Sequence, residues 1–293
     1  MDWTIFAIVL QLIFLEGILS IDNAAVLGAM VSVLPDDKGV EWPIALRGLG
    51  KIIDPLVGKE RTAALRVGLL GAYFGRGLML VLASLIIQNP WLKLVGAFYL
   101  IHLAFENLGL PEEGEEEQFN QEQRARGFWM VVLNVELADL VFSLDNVVAA
   151  VSLSNKLWVV MLGVAIGILA MRFAAGLFSK AVLKEPILQS AAYILVLNIG
   201  IQLLLEDLGR LVIPDVVRFA ISLAIIFLSL LYAHSKPLQK LRPVLIWLAQ
   251  GMDNINELIN WFLVPVRWFF RIFANILRTG FGKFAPKRPH ELE

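Results

Sequence analysis

Residues 128–153 read FWMVVLNVELADLVFSLDNVVAAVSL, an apolar run long enough to cross a bilayer that nonetheless carries Glu136, Asp139 and Asp145 in its interior. About 20 residues suffice to span the hydrocarbon core. Lipid offers no partners to open backbone groups, so a run of this kind, without the two-residue alternation of a barrel strand, must close its hydrogen bonds within a helix. An ionisable side chain near the centre of such a helix costs about 2.5 to 3.5 kcal/mol on insertion scales. Three carboxylates in one span therefore require partners, protons or a wet cavity.

The same template, carried outward, finds six further runs, approximately Trp3 to Leu34, Thr62 to Ile87, Trp91 to Leu108, Leu157 to Phe178, Ile187 to Leu205 and Leu211 to Ala233. Composition agrees: 58% of the 293 residues are hydrophobic, 17% are charged, and the mean hydropathy is +0.72, well above that of ordinary soluble domains. The expected fold is all-α, a polytopic bundle of seven transmembrane helices. The first run, 32 residues from Trp3 to Leu34, would reach about 48 Å as a straight helix against a core of about 30 Å, so it must tilt, protrude or break. It follows Asp2 with no basic stretch before it, so we expect it to be retained as a span and not cleaved as a signal peptide.

Several chemistries are excluded by composition. There is no cysteine, and histidine occurs only as His102, His234 and His290, so neither a thiolate nor a multi-histidine metal site can be assembled. A net charge of −1, without a basic groove-reading motif, argues against nucleic acid as a partner. No phosphate-binding glycine loop is present, which disfavours a nucleotide-driven pump on this chain.

Lys and Arg set the expected orientation, because cytoplasmic loops retain positive charge during insertion. Lys38, Arg47, Lys51, Lys59 and Arg61 fall in the first connection, Lys180 and Lys184 lie near the fifth, and the tail after the seventh run is basic. The alternate connections hold only Lys93, Lys156 and Arg210 near their ends. The N-terminus is thus expected outside and the C-terminus in the cytoplasm of a multi-pass protein of the cell membrane. The acidic stretch around Glu112, Glu113, Glu115, Glu116 and Glu117 reads as a solvated cytoplasmic linker. Beyond Lys236, Arg267 and Arg271 interrupt aromatic clusters at Trp261, Phe262, Trp268 and Phe269, a pattern suited to helices lying in the cytoplasmic interface.

Laid over the first run, the fourth repeats it: Leu19-Ser20-Ile21-Asp22-Asn23 matches Phe142-Ser143-Leu144-Asp145-Asn146 at an offset of 123 (145 − 22), which also sets Glu16 on Asp139. Gly71 and Arg76 of the second run match Gly167 and Arg172 of the fifth, at an offset of 96 (167 − 71). The repeat unit is three spans, and an odd unit enters the membrane from opposite faces in its two copies. Inverted repeats of this kind build secondary transporters with a site near the midplane. The expected organisation is a first repeat over 1–110, the acidic linker 111–127, a second repeat over 128–209, a seventh helix over 210–235 and an amphipathic cytoplasmic region over 236–293.

The intramembrane cations near Glu16, Asp22, Glu136, Asp139 and Asp145 are Arg76 and Arg172, and full ionisation of these seven groups leaves a net charge of −3 that a dication and protons could balance. Carboxylates, the Asn23 and Asn146 amides and the Ser20 and Ser143 hydroxyls make an all-oxygen set that suits manganese, magnesium or calcium. At about 100° per residue, Glu136, Asp139, Ser143 and Asn146 share a helix face, whereas Asp22 and Asp145 point away from the faces of their neighbours. Either the helices unwind near Ser20 and Ser143 so that all the oxygens converge, or Asp22 and Asp145 pair with Arg76 and Arg172. The plainer alternative to a transport site is a set of buried ion pairs that holds the bundle together. His102, alone in an apolar run, reads as a hydrogen-bonded core residue.

The stretch Glu16-Gly17-Ile18-Leu19-Ser20-Ile21-Asp22-Asn23, with Val135-Glu136-Leu137-Ala138-Asp139 and Phe142-Ser143-Leu144-Asp145-Asn146, resembles the paired signature of the TerC family of membrane proteins. The resemblance covers about Trp3 to Ala233. It implies kinship with LysE-type transporters and an association with manganese export and tellurium resistance. By resemblance, Glu16, Asp22, Asn23, Glu136, Asp139, Asp145 and Asn146 are the metal-handling residues. The expectation is therefore a transporter and not an enzyme, with Mn2+ as the exported ion ahead of Ca2+ or Mg2+ and with proton exchange as a natural coupling. A membrane scaffold or chaperone for tellurite-stress or metal-insertion complexes is the alternative, and an intramembrane aspartyl enzyme built on Asp22 and Asp145 is a further one.

Overall fold

Proline sits at several of the helix starts, where its fixed φ and missing N–H carry no penalty. Pro90 opens one helix, Pro186 immediately precedes another, and Pro214 caps a third in extended conformation. In the computed structural model, residues 8–13, 21–40, 42, 58–82, 90–109, 127–153, 156–209 and 213–261 are described. In chain order the helices are α1 (Ile21–Ser32), α2 (Glu60–Val81), α3 (Pro90–Leu108), α4 (Phe128–Leu153), α5 (Leu157–Lys184), α6 (Ile187–Gly209) and α7 (Asp215–His234). A short 3-10 turn at Leu238–Leu241 leads into α8, 242–261, and residues 8–13 are also helical. No strand occurs among the described residues beyond an isolated bridge between Gly39 and Lys59.

The all-α expectation holds, and α2, α5, α6 and α7 each contain a stretch long and apolar enough to cross a membrane. The ends differ in detail from the predicted spans: α5 continues past Phe178 to Lys184, and α7 starts at Asp215 instead of Leu211. The linker and the chain beyond 261 lie outside the described residues. Part of the overlong first run does too, since 14–20 falls between its two helical pieces.

Packing is reciprocal. The most extensive contacts pair α1 with α5, α4 with α2, and α3 with α6. Close approach needs small residues where backbones meet, since lipid supplies no hydrophobic drive between helices. A Cβ on Gly28 of α1 would stand 2.5 Å from the Ala175 carbonyl oxygen and 2.9 Å from the Ser179 nitrogen of α5. On α6, a Cβ on Gly200 would stand 3.1 Å from the Ala97 carbonyl oxygen of α3. The core between these helices holds Ala24, Leu27, Ala64, Leu100, Val135 and Met171. Large apolar side chains point outward instead, among them Phe74 at 76% and Val216 at 74% exposure. Such an outward face suits a lipid solvent.

Side-chain contacts tie four connections to one end of the bundle. Arg61 pairs with Asp36 and donates from Nη2 to the carbonyls of Ser32 (3.1 Å) and Leu34 (2.7 Å), so a cation satisfies open carbonyls at the C-terminal end of α1. Trp42 meets Trp129 edge-on with centroids 5.5 Å apart. His234 Nε2 lies 3.7 Å from Glu185 Oε1, and a Cβ on Gly109 would stand 2.9 Å from Asp253 Oδ1, which brings α8 to the end of α3.

Candidate functional site

Arg76 of α2 and Arg172 of α5 point inward and are 1% and 4% exposed, too deep for a guanidinium without partners. Among the described residues the carboxylates that meet them come from α4. Arg76 Nη2 donates to Asp139 Oδ1 at 2.9 Å, while Arg172 Nη2 donates to Asp139 Oδ2 at 3.3 Å and to Glu136 Oε1 at 3.0 Å. The same Arg172 nitrogen donates to the Gly68 carbonyl at 3.0 Å. Asp139, 2% exposed, thus accepts from both arginines and joins α2, α4 and α5.

The space for this network comes from glycine. A Cβ on Gly68 would stand 2.6 Å from Glu136 Oε1, and one on Gly71 would stand 2.6 Å from Glu136 Cδ. Three residues apart on one helix face, the two glycines form a trough that seats the Glu136 carboxylate. The satisfaction is incomplete, because Nε and Nη1 of Arg172 are buried without a hydrogen-bond partner.

Of the two explanations for where Asp22 and Asp145 point, unwinding at Ser143 does not occur. Helix α4 is continuous from Phe128 to Leu153, and the Ser143 hydroxyl donates to the Asp139 carbonyl at 2.5 Å, four residues back. That bond leaves the hydroxyl satisfied inside the helix. Ser20 lies outside the described residues. Among the described residues Asp22 is not paired with Arg76 or Arg172, which meet Glu136 and Asp139 on α4, and pairing of the Asp145 side chain lies outside the described residues.

Asp22 lies in the first turn of α1 and has a different environment. Its Oδ1 accepts the Asn23 backbone N–H at 2.8 Å, and its Oδ2 accepts the hydroxyl of Ser222 on α7 at 3.3 Å. The Asn23 side chain beside it is buried. Of the remaining candidates, Glu16 lies outside the described residues, and so do the side chains of Asp145 and Asn146, although their backbone is helical within α4. Among the described residues no cluster of three histidine, aspartate or glutamate side chains is arranged to hold a metal ion.

Ser222 escaped the sequence reading because the seventh run was set aside as lying outside the repeat. The available signal was a serine four residues after Arg218 in a mostly apolar stretch. His102, expected to be hydrogen-bonded in the core, instead has its Nδ1 buried without a partner.

Comparisons with known proteins match the model of the integral membrane protein TerC family to residues 50–240. The uncharacterized membrane protein YceF of Bacillus subtilis (strain 168) is 37% identical over 191 residues, covering 64% of this chain and 66% of that protein. The uncharacterized membrane protein YkoY of the same organism is 33% identical over 219 residues, covering 69% of this chain and 61% of that protein. The match thus spans a little under two thirds of these relatives' own length. The UPF0053 inner membrane protein YgdQ of Escherichia coli (strain K12) is 29% identical over 246 residues, covering 78% of this chain and 93% of that protein. No solved structure matches. The family match extends over most of the sequence, from before α2 to beyond α7, and the chain belongs to the integral membrane protein TerC family.

Proposed function

We propose that this protein carries a divalent metal cation, manganese, out of the cell, with the ion bound between the motifs of α1 and α4. One observation supports the proposal most. The two buried arginines are met by Glu136 and Asp139, while the described hydrogen bonds to Asp22 come from the neutral Asn23 N–H and Ser222 hydroxyl. Asp22 is thus a carboxylate whose described hydrogen bonds come from neutral donors, and Glu16 and Asp145 are the acids that the motif resemblance adds to it. With Asn23 and Asn146 they supply the oxygen set that a hard dication prefers.

Glu136 and Asp139 join that set when arginine is exchanged for metal, and release of the ion outside follows protonation of the carboxylates. The reciprocal packing, α1 on α5 and α4 on α2, is the pattern that two inverted three-helix units would produce, and it supports alternating access by rocking of one unit on the other. The end that carries Arg61, Lys184 and Lys236 is the cytoplasmic one.

The test is cellular manganese content after a manganese load, in an exporter-deficient strain expressing the wild type or matched Asp22→Asn and Asp145→Asn variants. Lower manganese with the wild type alone is the expected result. Equal content in all strains, at equal membrane expression, overturns the proposal.

A further inference from the structure

The seventh helix falls outside the three-span repeat and is the most exposed of the four apolar spanning stretches. Its outward residues, Val216 and Phe227 among them, are apolar. Against that background Ser222 stands out: among the described side chains of α7 it alone is buried, at 1% exposure. A polar side chain is thus the one that α7 turns inward. Its hydroxyl meets the motif aspartate of the first repeat, 200 residues away in sequence.

The hydroxyl has two acceptors within reach and one proton to give. The Arg218 carbonyl, one turn back on α7, lies at 3.0 Å, and Asp22 Oδ2 lies at 3.3 Å. The acceptor one turn back is always available, so Ser222 loses little by releasing Asp22. While the carboxylate is free of cation the hydroxyl can donate to it. Once a cation sits on Asp22, the proton can turn to the Arg218 carbonyl and leave an oxygen lone pair facing the ion. The start of α7 is itself fastened: Arg218 Nε donates to the Ile213 carbonyl at 3.1 Å, and its guanidinium pairs with Glu206 at the end of α6. Ser222 is therefore held in register one turn beyond that anchor.

We propose that Ser222 is a positioning residue for the Asp22 carboxylate, so that α7 forms one wall of the first-motif site. The inference rests on the transport function proposed above, and the tests separate the two. The first needs no metal. In the purified full-length protein, thermal melting of Asp22→Asn, Ser222→Ala and the double variant is expected to be non-additive, as for residues in contact. Additive melting shifts overturn the proposal.

The second test is manganese uptake into proteoliposomes. Ser222→Ala is expected to raise the half-saturating Mn2+ concentration about threefold to tenfold, the scale of one lost hydrogen bond, with maximal rate per folded molecule retained. Ser222→Thr, which keeps the hydroxyl, should restore a near wild-type half-saturation. A wild-type value in Ser222→Ala, or equal defects in Ala and Thr variants, overturns the positioning role. Non-additive melting in a protein that moves no manganese sinks the transport proposal and leaves Ser222 as the residue that holds Asp22.

Discussion

The Asp139 carboxylate accepts from two arginines on two different helices, while Arg172 divides a single nitrogen among Asp139, Glu136 and the Gly68 carbonyl. Buried ion pairs seldom add much net stability, because desolvation consumes the Coulomb gain, but a single partner left behind is costly. Arg172→Gln leaves the Glu136 carboxylate without its described cation, and Glu136→Gln leaves Arg172 sharing Asp139 with Arg76 as its described carboxylate. Each is expected to destabilise the fold, by up to about 3 to 5 kcal/mol. The double variant restores the charge balance and should melt above either single one in detergent, and a double variant that melts at the sum of the two losses would show the charges to be independent. The Glu136 seat is equally demanding of space: any side chain at Gly71 displaces the carboxylate from Arg172.

At the scale of elements, pair packing depends on where side chains are missing. Gly28 meets backbone atoms of α5, which cannot rotate away as a side chain could. Gly28→Ala should therefore push α1 from α5 at a cost of about 1 to 3 kcal/mol, read as a lower melting temperature. Gly77 on α2 is the internal control, since a Cβ there meets nothing within 4 Å. Gly77→Ala removes only the helix penalty of glycine and is expected to leave melting unchanged or raise it. Similar losses at both positions would mean that helix propensity, and not the close approach, governs the effect. Continuity of α4 through Ser143 belongs to this scale as well. The serine bonds within its own helix, so unwinding at Ser143 does not bring the motifs together.

For the whole molecule, contacts that gather the first and fifth connections, the end of α3 and the segment after α7 at one end fit a chain that crosses back and forth. The absence of cysteine makes the orientation directly measurable. In intact cells a membrane-impermeant thiol reagent is expected to label Lys156→Cys and to spare Gly39→Cys and Gly251→Cys until the membrane is opened. All three positions are exposed. The reverse pattern would invert the proposed topology and turn the direction of transport with it.

Helix content, membrane residence, the approximate bounds of the described helices and the sequence of the acidic motifs were legible in the sequence alone, because lipid forces local hydrogen bonding and penalises each buried charge wherever it stands. Those are local constraints, readable run by run. Which carboxylate each arginine meets was not legible, since Arg76 and Asp139 are 63 residues apart and every acid in the spans was an equally charged candidate. Helical spacing left Asp22 pointing away from its motif neighbours, and only the packing of α7 against α1 revealed Ser222 as the partner it points toward. Partner choice among like charges is decided by which helices come within hydrogen-bonding reach, a property of the three-dimensional packing that no single run encodes.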